Sequence, residues 1–234
     1  MVVRIDFEKI RKGARCAVAI GYDVDMPSDL EYLYNRDLGW RGGCHGHLNK
    51  DVLNYIQMLG RVAEDYDARL QFFLQGNTLE DPVEPWIDIV KRGHVVDQHS
   101  YTHMSLIHAP LDKVENELTR TKRLLKEKLK TVSVGLRGPG GYLYGLQGRE
   151  DVQRLILETG IRWVSTQYPF HTDAPDELFS PRTDERTIQM IPYTQPYYYD
   201  SGLLEIPFCC YQDRSFFDVD MDGDPRRPVE DWIT

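Results

Sequence analysis

The segment HSYTH, residues 99–103, sets two histidines four apart with no proline or glycine between them. Imidazole nitrogens are frequent zinc ligands, and a turn of helix, or a loop bent like one, brings such a pair within reach of one ion. The alternative is two polar residues in a surface turn. Two more polar clusters bear on the choice. Asp23 and Asp25, in GYDVDMP, stand two apart, so in extended backbone both carboxylates face the same way. Holding two negative charges together is costly without a cation. Arg137, in LRGPGGY, precedes a Gly-Pro-Gly-Gly run that offers exposed backbone amides. Taken singly, each cluster also reads as an ordinary turn.

The elements around these clusters alternate between two periodicities. Strand-like runs occur at CAVAIGYD (16–23), RLQFFLQ (69–75), HVVD (94–97), VSVGLR (132–137) and IRWVST (161–166). Between them lie helical patterns. Val52, Tyr55, Ile56, Leu59, Val62 and Ala63 recur at spacings of three and four behind Asn49, a capping residue. EDPVEPWIDIVKRG opens with acidic residues and Pro82 and closes with Lys91, Arg92 and Gly93. LDKVENELTRTKRLLKEKL sets Leu111, Val114, Leu118, Leu125 and Leu129 on one face, and a fourth helix over 149–159 ends at Gly160.

Strands alternating with helices of this length predict parallel βαβ units, closed into a barrel or left as an open α/β sheet. After residue 167 the pattern loosens, with LLEIPF (203–208) the clearest late strand. The three polar clusters then follow three different strands at their C-terminal ends, the face where such sheets assemble sites. Two histidines and one carboxylate make a three-ligand set that leaves coordination positions open for water and substrate. A second aspartate is then free to act as a base, and a nearby arginine can hold it ionised and oriented.

The totals narrow the function. A chain of 234 residues suffices for one sizeable core, and 28 basic against 37 acidic residues, a net charge of −9, argue against nucleic acid or an anionic membrane as main partner. No signal-peptide pattern and no apolar run of membrane-spanning length is present, so a cytoplasmic location is the expectation. Cys16, Cys44, Cys209 and Cys210 form no CxxC pair and read as reduced thiols.

These residues resemble the polysaccharide deacetylase family, also called NodB-homology or carbohydrate esterase family 4. HSYTH meets in full its His-Ser/Thr-x-x-His motif, and DVD looks like a first-motif variant of peptidoglycan-deacetylase-like and allantoinase-like members. The resemblance covers about residues 14–167, with an echo at LLEIPF, and implies one catalytic domain across 1–234 built as a distorted (β/α) barrel of fewer than eight units. By position, Asp23 matches the family's base, while Asp25, His99 and His103 match its ligands for a divalent metal, zinc by preference. RGPG matches the Arg-x-Pro-x motif, so Arg137 corresponds to the residue that orients the base and the Gly140 amide to an oxyanion-hole donor. Tyr142 stands in for an aromatic expected after the proline.

One departure concerns the general acid. The family's late strand ends in a histidine, yet none follows His171 here. Either the chain stops before that strand or another group serves, with His171, His45 and His47 as substrate-side candidates. CHGH (44–47) reads as a substrate-side loop before it reads as a second metal site, and the tyrosines of PYTQPYYYD (192–200) as a sugar-stacking rim or as packing. Trp163 could belong to the pocket or the core, while His94 reads as structural and His108 as a surface residue.

The resemblance implies a metal-dependent hydrolase that removes acetyl from an amino sugar or glycan, with an acetylated sugar or small amide as its partner and homo-oligomers left open. A cyclic amide or ureide hydrolase of allantoinase-like type is the rival. A non-catalytic metal- or sugar-binding relative is the third reading.

Overall fold

The computed structural model describes residues 19–27, 44–167 and 195–208. The runs richest in Val, Phe and Ile form the strands, since branched and aromatic side chains pack well on a pleated surface. Strands β1 (Gly21–Val24), β4 (Gln71–Leu74), β5 (Val95–Gln98), β6 (Gly135–Tyr142) and β7 (Trp163–Gln167) lie side by side and parallel. The sheet continues through β9 (Leu204–Glu205), parallel to β7, to β8 (Tyr197–Tyr198), which pairs antiparallel with β9. A separate ribbon pairs β2 (Met26–Pro27) with β3 (Cys44–His45), so Met26 faces His45 across the ladder.

Helices fill the crossovers, as parallel neighbours require. Helix α1 (Lys50–Asp65) starts where the Asn49 side chain accepts the Val52 N–H at 2.9 Å. Helix α2 (Glu84–Lys91) begins with Pro85 in its first turn, two residues later than Pro82 suggested, because residues 76–80 wind into a 3-10 turn first. Helix α3 (Leu111–Leu124) runs on into a π turn (Leu125–Leu129), and α4 (Glu150–Glu158) precedes Gly160. Among the described residues no helix is long and apolar enough to cross a membrane.

The hydrophobic faces were legible in part. Ile56 and Ala63 of α1 pack with Phe72, Leu74, Trp86, Ile89, Leu125 and Leu129 in one core layer. Tyr55 and Val62, counted on the same face from spacing, are 51% and 48% exposed and point outward, as does Leu111 at the start of α3. A second layer joins Val114 and Leu118 of α3 to Leu136, Val152, Ile156, Val164 and Leu203. Each fully buried large side chain contributes about 1.5–3 kcal/mol relative to exposure, so these layers hold the sheet rigid beneath its C-terminal edge.

Register delivers the polar residues to that edge. Val24, Leu74, Gln98, Leu136 and Val164 form one aligned row across β1, β4, β5, β6 and β7. One step further along the chain stand Asp25, His99 and Arg137. Sequence reading ended the fourth strand at Arg137, whereas β6 continues to Tyr142. Gly140 and Gly141 adopt φ of +80° and +61°, which lets the chain bulge between Arg137 and Tyr142 and pair again with β7.

Candidate metal centre

HSYTH is a loop, not a turn of helix. His99 is 1% exposed, and its Nδ1 lies 2.9 Å from the backbone oxygen of Arg137. A carbonyl oxygen only accepts, so Nδ1 carries the proton and the Nε2 of the neutral ring presents a lone pair. Burial, outweighing the opposing pull of Asp23, pushes the His99 pKa below its ordinary value and favours that neutral form.

Both histidines aim Nε2 at Asp25. The Asp25 Oδ2 is 2.9 Å from His103 Nε2 and 3.7 Å from His99 Nε2. One donor atom from each of the three residues falls within 4.8 Å of the others, and the two imidazole rings meet edge to face at 4.8 Å. Two donors each about 2 Å from a shared ion sit roughly 3–4 Å apart, a spacing that the Asp25 carboxylate meets to each histidine, so the three residues could hold a divalent cation. Asp25 is partly shielded and the histidines are buried.

Asp23 stands beside this triad rather than in it. Its Oδ2 is 4.0 Å from His99 Nε2 and its Oδ1 is 3.4 Å from Arg137 Nε. Arg137 is held between two aromatic faces, with its guanidinium carbon 4.8 Å from the Phe73 ring centre and 4.3 Å from that of Phe208. Arg137 thus touches both residues, its carbonyl oxygen meeting His99 Nδ1 and its side chain facing Asp23. Gly140 is exposed on the bulge of β6, and among the described residues a Cβ there would meet no atom within 4 Å.

The remaining predicted positions divide. Tyr142 is 7% exposed, its hydroxyl accepts the Leu106 N–H at 2.8 Å, and burial pushes its pKa up to about 12, so it packs in the second core layer. His47 is exposed with Nδ1 2.9 Å from Asp81 Oδ2. His45 is placed by backbone register opposite Met26, one residue past Asp25. His171 lies outside the described residues. Trp163 meets Phe73 edge to face at 5.9 Å and covers Gly135, where a Cβ would come within 2.2 Å of its ring. His94 is buried, as a structural residue should be, with Nδ1 accepting the Leu70 N–H and Nε2 2.9 Å from Glu64.

Three acidic residues escaped sequence reading. Glu117, Asp97 and Glu205 are 3%, 2% and 0% exposed, and each carboxylate collects several donors from neighbouring segments. Glu205, the sole charged residue of LLEIPF, and Asp97, the sole acidic residue of HVVD, carried a sequence signal.

The family model for polysaccharide deacetylases matches residues 46–162, half of the chain. A crystal structure of a Mycobacterium smegmatis protein assigned as a polysaccharide deacetylase superposes with a TM-score of 0.55 at 21% identity, covering 92% of this chain and 69% of that one. This similarity shows the fold, the NodB-like barrel. A Bacillus subtilis peptidoglycan deacetylase matches at 21% identity and a TM-score of 0.36, covering 39% of this chain and 44% of that chain. An uncharacterized 30.6 kDa protein of Geobacillus stearothermophilus is 27% identical over 101 residues, 43% of this chain, and the match spans about a third of that relative's length (34%).

Proposed function

Since the chain belongs to the polysaccharide deacetylase family, we propose that it is a metal-dependent hydrolase that removes acetyl groups from an amino sugar or glycan. The observation that carries this reading is the convergence of Asp25, His99 and His103, within 4.8 Å, beside an aspartate that faces Arg137. Asp25, His99 and His103 would hold a divalent cation, zinc by its preference for imidazole and carboxylate ligands. Such an ion supplies Lewis acidity, which polarises an acyl carbonyl and makes water a stronger acid.

The other steps fall to the chain's own residues. Asp23 takes the proton from the attacking water, aimed by the guanidinium at 3.4 Å. As the carbonyl carbon becomes tetrahedral, its oxygen gains charge, and the Gly140 N–H is the donor this reading assigns to it. The positive φ of Gly140 turns that amide without a Cβ in the way. The departing nitrogen needs a proton of its own, so an ester should tolerate loss of the proton donor better than an amide does.

Acetate release from N-acetylglucosamine oligomers by the zinc-loaded chain tests the reading. Asp23→Asn should keep the ion and release no acetate. A metal-loaded wild type that releases none from any N- or O-acetylated saccharide would overturn the assignment.

A further inference from the structure

The loop joining His99 to His103 is under backbone strain. Ser100 and His103 adopt φ of +58° and +62°, a left-handed conformation that non-glycine residues rarely take. Such a loop persists only where its surroundings over-determine it. Part of the support comes from the chain after β4. The Gly76 N–H donates to the Ser100 carbonyl at 2.7 Å, and the Asn77 N–H donates to the Tyr101 carbonyl at 3.2 Å. That approach needs a glycine at 76, because a Cβ there would lie 2.3 Å from Thr121 Oγ1 and 2.7 Å from the Tyr101 ring.

Further support comes from a side chain on α3. Glu117 is 3% exposed, and its Oε2 accepts the Tyr101 N–H at 2.9 Å and the Thr102 N–H at 2.6 Å. Its Oε1 accepts the Thr102 hydroxyl at 2.9 Å. All three donors lie between the two histidines. A buried carboxylate is costly unless hydrogen-bonded, so charge and loop satisfy one another.

We propose that Glu117 is a positioning residue of the metal centre, its carboxylate locking residues 101–102 so that the Nε2 atoms of His99 and His103 converge before an ion binds. This rests on reading Asp25, His99 and His103 as metal ligands. Groups that orient ligands in this way typically govern 10–100-fold in metal affinity.

The test uses the metal-free full chain as wild type, Glu117→Ala and Glu117→Gln. Glutamine keeps one oxygen for the two backbone donors, and its amide can donate to the Thr102 hydroxyl, so it should rescue. Amide hydrogen exchange should show Tyr101 and Thr102 protected in wild type and Glu117→Gln, and at least about tenfold less protected in Glu117→Ala. Competition with a chromogenic chelator should show zinc bound about 10–100-fold more weakly by Glu117→Ala and nearly unchanged by Glu117→Gln. If Glu117→Ala does not fold, Glu117→Asp withdraws the carboxylate by one methylene and should show the same two losses. Unchanged loop protection, or wild-type zinc affinity in the variant lacking the carboxylate contact, would overturn the proposal. A wild type that binds no zinc contradicts the metal reading, while the exchange comparison still decides the role of Glu117.

Discussion

Replacing Asp97 should destabilise the protein through the junction that carries Arg137. Strands β5 and β6 are in register through a single pair, Gln98 with Leu136, so the ladder between them is short. Asp97 compensates from inside the sheet: its Oδ1 accepts the Ser133 hydroxyl at 2.8 Å and the N–H groups of Val134 and Gly135 at 3.0 and 3.1 Å. Its Oδ2 accepts the Gln71 amide at 2.7 Å. Asp97→Ala orphans the buried Gly135 N–H, worth about 1–3 kcal/mol when unpaired, and the part-buried Val134 N–H, worth less where water reaches it. Burial raises the Asp97 pKa despite these bonds, so the charged side chain itself carries a desolvation cost that its removal returns. The balance predicts a loss of about 2–4 kcal/mol, a large share of the roughly 5–15 kcal/mol typical of a domain. Asp97→Asn keeps Oδ1 for all three donors at the head of β6 and should cost less than about 1 kcal/mol. Urea unfolding of the metal-free variants, compared at equal slope, measures both. A loss below about 1 kcal/mol for alanine, or equal losses for alanine and asparagine, would refute the role assigned to that oxygen.

Two further expectations concern Glu205 and Gly140. Burial raises the Glu205 pKa, even though Thr166, Gln167 and Tyr199 all donate to its carboxylate. A raised folded pKa means that the native state binds the extra proton, so this contribution is fully present below the unfolded value and is lost as pH rises through the folded one. Glu205→Gln should therefore gain in Tm relative to wild type as pH rises above the unfolded carboxylate range, and a difference independent of pH would contradict this. Gly140→Ala has room for its methyl group, so its cost should be conformational, about 1 kcal/mol for a left-handed alanine, in denaturant unfolding. Acetate release should fall as well if the Gly140 amide meets the developing oxyanion.

The ligands and the support around them were legible to different degrees. Asp25, His99 and Arg137 each stand one residue beyond an aligned strand row, so marking strand ends from hydropathy alone put them on one face. Spacing alone did not give the conformation between the histidines, because neither Ser100 nor His103 is a glycine, the residue that most often marks positive φ. Glu117 was hidden for a related reason: it sits mid-helix among other charged residues, and its partners lie 15 and 16 positions earlier in the chain. The run RGPGGY read as a turn because Gly and Pro usually end strands, whereas here they shape a bulge within β6. Tyr55 and Val62 illustrate the opposite error, since periodicity marks a stripe on a helix without fixing how much of it the sheet covers.

The most direct test is the metal content of the purified chain against that of Asp25→Ala prepared in parallel. Asp25 supplies the carboxylate 2.9 Å from His103 Nε2 and 3.7 Å from His99 Nε2, and its loss leaves only two ligands. The account predicts about one equivalent of zinc or a similar ion in wild type after dialysis. In Asp25→Ala it predicts little or none, with unchanged circular dichroism. Equal metal in both proteins, or none in wild type even after zinc is added back, would contradict it.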